Sequence, residues 1–421
     1  MSRIVLATIG SLGDLHPKIA LGLELRDRGH QVIFVTSKQY CERIEFLGFE
    51  FHRLRPDYIS PDDPQMLALM MDTRRGTERL LRDYIFANIR DTYTDLLEAS
   101  QGADFLIVGE VVYAGRLVAE KLGLKWALGV LSPASFCSVY DPPVFPGFSG
   151  LEILRSMGLL PNQAIVTLGQ WMTRSWSAPL HQLRQEIGLP PSGNPIFQAK
   201  FSPYLVLALF SPVLAAPQAD WAPSTVITGF TFYDRTNQSA NLSPELEQFL
   251  AAGDPPIIFT LGSAAVHDPG DFYRVSLEVA QQLKRRAVML IGNNPPPPEL
   301  PDTIKAVDYA PYSKIFPHAC AIVHQGGVGT TAQALRSGHP TVVVPYSHDQ
   351  PDNAARVERL GISRTIPRDR YTTHQAVQEL SILLQQPAYA AKAESIGTIV
   401  QLEMGEKVAC DAIEKQLTLK T

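Results

Sequence analysis

The sequence predicts an α/β protein built from two doubly wound domains that face each other across a cleft. Short, wholly apolar runs alternate with helical patterns along the chain, and the series stops in a polar stretch at 234–256 and then restarts. Runs apolar on both faces mark strands of a parallel sheet covered by helices on either side. A third observation is the segment His324-Gln325-Gly326-Gly327-Val328-Gly329-Thr330-Thr331, a glycine-rich turn between a strand pattern and a helix pattern. Ligands of doubly wound folds bind at such carboxyl ends of strands.

The first strand reads Ile4-Val5-Leu6-Ala7-Thr8-Ile9, followed by the turn Gly10-Ser11-Leu12-Gly13 and a helix to about Arg28, which Gly29 stops. Gln31-Val32-Ile33-Phe34-Val35 gives the second strand. A long amphipathic stretch from Met66 to Ala99 has apolar residues at three- and four-residue spacing. Phe105-Leu106-Ile107-Val108, Ala127 to Leu131 and Leu205 to Leu209 read as further buried strands, so residues 1–235 form the first domain. The polar stretch holds one short helix, Pro244 to Ala251, and reads as the connection. Ile257-Ile258-Phe259-Thr260 then opens the second domain, 236–386, with a helix near 271–285 and strands at 287–291, 321–324 and 341–344. Asn293-Asn294 with Pro295 to Pro298 makes a rigid loop. A single last helix, within 387–421, is long enough to return toward the first domain.

At 421 residues the chain holds two or three domain units with ample core. A formal net charge of −5 argues against general nucleic-acid binding. The four cysteines, at 41, 137, 320 and 410, lack metal-ligand spacing and read as small buried hydrophobes in a reducing compartment. Met1-Ser2-Arg3 leads into an apolar run that breaks at Gly10, which reads as a strand rather than a signal peptide. No apolar stretch approaches the roughly 18 residues that span a bilayer. The expectation is a cytoplasmic protein without stable membrane insertion, and nothing in the sequence marks an assembly state. The sequons at Asn237 and Asn241 then read as chance.

Backbone N–H groups of the turn at 326–329, the following helix start, the His324 ring and the Thr330 and Thr331 hydroxyls together suit a phosphate. No Gly-Lys-Ser/Thr follows, and the dinucleotide spacing G-x-G-x-x-G with its later acid is missing. Beyond the strand Thr341-Val342-Val343-Val344-Pro345 stand Asp349 and Gln350, a carboxylate and an amide suited to hydroxyl groups. A phosphate cradle with a hydroxyl reader points to a nucleotide sugar.

Three blocks carry a resemblance. Gly10-Ser11-Leu12-Gly13-Asp14-Leu15-His16-Pro17, Phe259-Thr260-Leu261-Gly262-Ser263, and Tyr309-Ala310-Pro311-Tyr312 through Asp349-Gln350 resemble, in order and spacing, the family 1 glycosyltransferases. That family includes bacterial antibiotic, sterol and plant secondary-metabolite glucosyltransferases. The resemblance implies the GT-B fold, with two Rossmann-like domains, the first binding acceptor and the second nucleotide sugar. It implies inversion by direct displacement, in which a base takes the acceptor proton as the oxygen attacks the anomeric carbon.

By resemblance Asp14 is the first candidate for the base, and His16 is the second, with an ordinary pKa near 6.5. Residues two apart on a helix do not share a direction, so one of them faces the substrate; Asp14 also suits a helix cap. The donor would be held by His324, Gly326, Gly327, Val328, Gly329, Thr330 and Thr331, with Gly13, Gly262 and Ser263 opposite. The nucleotide base would lie against Tyr309, Ala310, Pro311 and Tyr312, the ribose near Gln333, and the hexose at Asp349 and Gln350, a pair that leans toward glucose. Acceptor candidates are Phe136, Tyr140, Phe145, Phe148, Trp171 and Trp176, with Glu110 or Tyr113 near a strand end. The loop from Val139 to Gly150 reads as ordered by its prolines and as lying over the cleft.

No Asp-x-Asp occurs, and Asp62-Asp63 sits between prolines as a solvated turn. No metal and no cofactor are therefore expected; a helix terminus takes the place of Mg²⁺ at the phosphates. The expected partners are a UDP-sugar, glucose first, and a small lipophilic hydroxyl compound such as a phenol, flavonoid, polyketide or sterol. The alternatives are a rhamnosyl or other deoxysugar transferase using a TDP- or UDP-sugar, a UDP-GlcNAc 2-epimerase-like isomerase, and a non-catalytic nucleotide-sugar binder.

Overall fold

The structure, a computed structural model, describes residues 1–57, 66, 69–145, 158–234 and 241–419. Two wholly parallel sheets organise it. The first contains β1 (Arg3–Ala7), β2 (Gln31–Thr36), β3 (Glu50–Arg53), β4 (Phe105–Gly109), β5 (Lys125–Val130), β6 (Leu205–Ala208) and β7 (Thr225–Ile227), in the order β3-β2-β1-β4-β5-β6-β7. The second contains β8 (Ile257–Thr260), β9 (Ala287–Leu290), β10 (Ile304–Val307), β11 (Ala321–His324), β12 (Thr341–Val343) and β13 (Ser363–Thr365), in the order β10-β9-β8-β11-β12-β13. Each order reverses once, between β1 and β4 and between β8 and β11. A crevice opens at such a reversal, because consecutive helices leave it toward opposite faces.

The helices of the first domain are α1 (Leu12–Asp27), α2 (Cys41–Phe46), α3 (Ile89–Ala99), α4 (Ala114–Leu122), α5 (Leu159–Thr173) and α6 (Ala178–Glu186). Those of the second are α7 (Pro244–Ala251), α8 (Phe272–Gln282), α9 (Val328–Ser337), α10 (Gln350–Arg359), α11 (Thr373–Gln385), α12 (Pro387–Gln401) and α13 (Gly405–Thr418). The strands read as continuous apolar runs because both sheet faces are covered: Ile4, Val5, Leu6, Ile257, Ile258 and Phe259 are all inaccessible.

Two expected elements are divided. The stretch 66–99 holds a wide-turned helix at Arg79–Phe86 and then α3, with Asn88 between them donating from Nδ2 to the Tyr84 carbonyl at 2.7 Å. Asp62-Asp63 and Phe148 lie outside the described residues. The single last helix is two helices, broken at 402–404, and the break has a physical reason. Glu403 turns toward the first domain, accepting from Phe230 N at 3.1 Å and from Ser211 Oγ. Gly405 lies against the Phe230 carbonyl, where a Cβ would come within 2.3 Å. The turn at 402–404 sends α13 onto α1, where Arg28 pairs with Asp411 at 2.6 Å and with Glu414 at 2.7 Å.

Further bonds join the domains near the cleft. Val144 N donates to Asp352 Oδ1 at 3.0 Å, and Arg356, buried and paired with Asp352 at 2.6 Å, reaches Asp141. Among the described residues no helix is long and apolar enough to cross a membrane. Gly405→Ala is expected to cost about 1–3 kcal/mol by forcing the Glu403 turn off Phe230; urea unfolding with unchanged stability would contradict that packing.

Candidate active site

The first reversal point is built by the start of α1. Ser11 caps the helix, its Oγ accepting from Gly13 N at 3.1 Å, and the Asp14 carboxylate reaches back to Ser11 N at 2.8 Å. This reciprocal capping box satisfies two orphan amides and neutralises the helix end. Gly10 permits it: at φ 140°, a Cβ there would fall 2.2 Å from Asp14 Oδ2. Crowding by the protein raises the Asp14 pKa to about 6, with the Glu110 charge adding to the rise. A carboxyl that titrates there is ionised at neutral pH yet basic enough to take a proton.

His16 points elsewhere. Its Nε2 lies 3.1 Å from Arg43 and its ring 5.2 Å from that of Tyr233, on the wall of the cleft cavity. Asp14 does not reach that wall among the described residues. The two sequence candidates thus face different surroundings, as their spacing requires.

The second reversal point holds the glycine-rich turn. Gly326 N donates to His324 Nδ1 at 3.1 Å, which makes Nδ1 the acceptor and puts the ring proton on Nε2. That Nε2 is buried with no partner among the described residues. Burial lowers the His324 pKa to about 3, so the ring is a neutral donor at any working pH. The hydroxyl of Thr331 and the Gln325 Oε1 are likewise buried and unpartnered. Gly327 caps α9 without any side chain, in contrast to α1, so its first amides stay open to a ligand. The two helix starts meet here: a Cβ on Gly329 would lie 4.0 Å from the Gly13 Cα.

Between them is a cavity of about 320 Å³, a volume suited to a small-molecule ligand. Its wall includes Gly13, Gly262, Ser263, Tyr309, Pro311, Tyr312, Val328, Gly329, Thr330 and Gln333 from the expected donor set. Gly262 holds φ 67°, and a Cβ there would strike Gln325 Nε2 at 2.1 Å, so the first donor loop and the glycine turn are fitted to each other. Tyr309 is 49% exposed on the wall. Tyr312 bonds Thr260 Oγ1 at 2.8 Å and stacks on Phe316, and Ala310 is core; these two brace the wall.

Asp349, at the start of α10, accepts from Asn353 Nδ2 at 2.8 Å, and its pKa is raised to about 7 by burial, with Glu110 and Asp14 adding. Gln350, which is buried, uses its side-chain carbonyl to accept from Tyr346 N at 2.8 Å and Ser347 N at 3.2 Å. His324, Gly326, Gly327, Thr331, Asp349 and Gln350 stand off the cavity wall among the described residues. Of these, Asp349 lies close enough to Glu110 and Asp14 for their negative charges to oppose its ionisation.

The acceptor candidates divide. Phe136 belongs to the core, stacked on Trp221 with centroids 3.9 Å apart, so its ring is taken up by packing. Trp176 packs on the same core. Tyr140, Phe145 and Trp171 are exposed, Trp171 to 72%, and none lines the described cavity. Glu110 is fully engaged by Leu131 N and Ser135 Oγ, tying the end of β4 to the loop after β5. Tyr113 stacks on Phe86 at 4.7 Å.

Five site residues escaped the sequence reading. Gln325 lies inside the quoted turn and bridges both donor loops. Asn353, one helical turn after Asp349, bonds Gly326 O at 2.9 Å as well as Asp349, and that i,i+4 spacing was the available signal. Phe232, Tyr233 and Asp234 reach the cavity from the segment after β7, where no local pattern marks them.

Residues 4–128 match the glycosyltransferase family 28 N-terminal domain, and residues 277–401 match the erythromycin biosynthesis protein CIII-like C-terminal domain. The whole chain aligns at 32% identity with 98% of an O-mycaminosyltylonolide 6-deoxyallosyltransferase from Streptomyces fradiae. At 27% identity, 99% of the chain aligns with a sterol 3-beta-glucosyltransferase from Neurospora crassa, covering 27% of that longer protein. The solved structure of the glycotransferase of kitacinnamycin superposes with a TM-score of 0.75 at 22% identity over 99% of both chains, a likeness of fold.

His324→Phe, which removes the open donor and keeps a planar ring, is expected to weaken UDP binding by about tenfold to a hundredfold, the worth of one hydrogen bond to a charged group. Titration calorimetry checks it; unchanged affinity would leave the ring without a role in binding. Because this imidazole stays neutral, its contribution should not titrate between about pH 5 and 8.

Proposed function

The chain belongs to the family 1 glycosyltransferases of the GT-B fold, and from that premise we propose that it transfers glucose from UDP-glucose to a hydroxyl of a small lipophilic acceptor, such as a flavonoid, phenol, polyketide or sterol. The observation that carries the donor half is the unpartnered, neutral His324 donor beside the uncapped start of α9. A diphosphate placed there would satisfy His324 Nε2, the Thr331 hydroxyl and the first α9 amides together. These groups stand in place before charge develops, which is how a leaving diphosphate is best stabilised.

Asp14 acts as base in this reading. Its carboxylate takes the proton of the acceptor hydroxyl while that oxygen attacks the anomeric carbon from the first-domain side. The bond from that carbon to the diphosphate oxygen breaks, its electron pair leaves with UDP, and the configuration inverts. The rise of the Asp14 pKa to about 6 supports the role, since the group is then ionised at neutral pH and still a competent acceptor. Asp349 and Gln350 would read hexose hydroxyls, with Asn353 orienting the Asp349 carboxylate. The donor site draws on the α9 terminus rather than a metal, in keeping with a sequence that has no Asp-x-Asp.

A second reading keeps the chemistry and changes the donor to a TDP-activated deoxysugar. Two observations favour it: the Streptomyces fradiae relative, matched over its length, is by its name a deoxyallosyltransferase. Gln333, on the cavity wall where the family resemblance puts a ribose reader, is an amide and grips hydroxyls less strongly than a carboxylate. A panel of UDP-glucose, TDP-glucose and TDP-deoxysugars against phenol, polyketide and sterol acceptors, read by mass spectrometry, separates the two. Product from UDP-glucose alone supports the first; product from TDP-deoxysugars alone overturns it.

Asp14→Asn should lower kcat by about 10²- to 10⁴-fold while UDP affinity, measured by calorimetry, stays within about twofold. Retained turnover would remove Asp14 as the base. Activity is expected to survive EDTA; loss in chelator, restored by Mg²⁺, would refute metal independence.

A further inference from the structure

Lys18 is wholly buried on α1, and its Nζ has no hydrogen-bond partner among the described residues. Lysines are almost never buried without a partner, since desolvating an ammonium is costly. The site has room made for it. A Cβ on Gly129 of β5 would fall 2.6 Å from Lys18 Nζ and 3.2 Å from Cε, so the amine rests on bare backbone. Gly129 is the register partner of Gly109, the residue before Glu110. Lys18 also follows Asp14 by one helical turn. The ammonium therefore lies under the reversal point of the first sheet, and both carboxylates act on it electrostatically.

We propose that Lys18 is a positioning residue for the base, a buried ammonium that keeps Asp14 ionised through the protein interior without touching either substrate. The proposal rests on the reading of Asp14 as base. The groups facing Asp14 explain why a cation is needed there. Glu110 from the end of β4 opposes its ionisation, and Asp14 and Glu110 in turn act on Asp349 at the start of α10. Tyr40, whose hydroxyl donates to Gly10 O at 3.0 Å, lies close on the short 3-10 turn at Lys38–Tyr40 before α2, and Arg43 on α2 is engaged with His16. The Glu110 charge acts on both Asp14 and Asp349, and Lys18 is a buried cation on the first-domain side of that group. Burial pulls the Lys18 pKa down to about 8, with Glu110 and Asp14 pushing it back up, so the amine carries charge at neutral pH.

The sign follows. An ammonium lowers the Asp14 pKa, so its removal raises that pKa and moves the acid limb of activity to higher pH. The test uses the full chain with Lys18→Met, which keeps length and packing, and Gly129→Ala, which crowds the ammonium from its seat. Two readouts are needed: the acid limb of kcat/KM, and the Asp14 carboxyl titration by carbon-13 NMR, identified by its loss in Asp14→Asn. In Lys18→Met both should move upward by about one unit. The rate deficit would then be about fivefold near pH 6, approach about tenfold below about pH 5, and close by about pH 9. Gly129→Ala should shift both in the same direction by less. A carboxyl titration unchanged in Lys18→Met overturns the proposal; if that variant does not fold, an unchanged titration in Gly129→Ala overturns it. A carboxyl that moves while the kcat/KM limb stays fixed keeps the hold of Lys18 on Asp14 and overturns Asp14 as the base.

Discussion

Everything in this molecule depends on two wholly parallel sheets aiming the ends of their central strands at the same gap. Parallel strands all finish on one edge, and each sheet reverses its order once, at β1–β4 and at β8–β11. The helix that follows each reversal starts at the gap, so the positive ends of α1 and α9 converge near Gly13 and Gly329. Two like dipole ends repel unless something negative stands between them. On one side the protein supplies that charge itself, because Asp14 closes the capping box of α1. On the other side Gly327 supplies nothing, and the start of α9 is left for a ligand to complete. The two ends are thus asymmetric: a carboxylate closes the start of α1, and no side chain caps the start of α9.

That division makes the polar chemistry of the gap consistent. A neutral His324 with its proton on Nε2 adds a donor to the anion seat without adding a charge that would titrate near neutrality. Burial raises the proton affinity of Asp14 and Asp349, and the Glu110 charge raises both further. A group so placed is a better proton acceptor than a solvated aspartate, provided it still ionises.

The domain relationship is held by polar bonds rather than by a shared apolar surface alone. Arg356, Asp352 and Asp141 join α10 to the loop before Phe145, and Glu403 holds the last helices to the segment 229–230. Removing one member of a buried ion pair strands the other, so such contacts fix one arrangement more sharply than they add stability. The segment 141–144 and the start of α10 are thereby tied together.

Much of this was legible in the chain. The double βα series, its restart after the connection, and the glycine turn at 326–329 follow from apolar periodicity and turn chemistry, which are local properties. The capping role of Asp14 was readable from Ser11 three residues earlier. The break at 402–404 was not, because it is dictated by Phe230 far away in sequence, and helical propensity runs through it. Phe136 was misplaced for a related reason: an aromatic beside a loop looks like pocket lining until Trp221 is brought against it. Lys18 carried no signal, since a lysine in a helix reads as solvated unless the sheet beneath it is known. The account is tested most directly by a crystal structure with uridine diphosphate bound. It predicts the diphosphate against His324 Nε2 and the Val328 and Gly329 amides, with the base beside Tyr309 and Pro311. A diphosphate seated away from the start of α9, with His324 Nε2 still unpartnered, would contradict it.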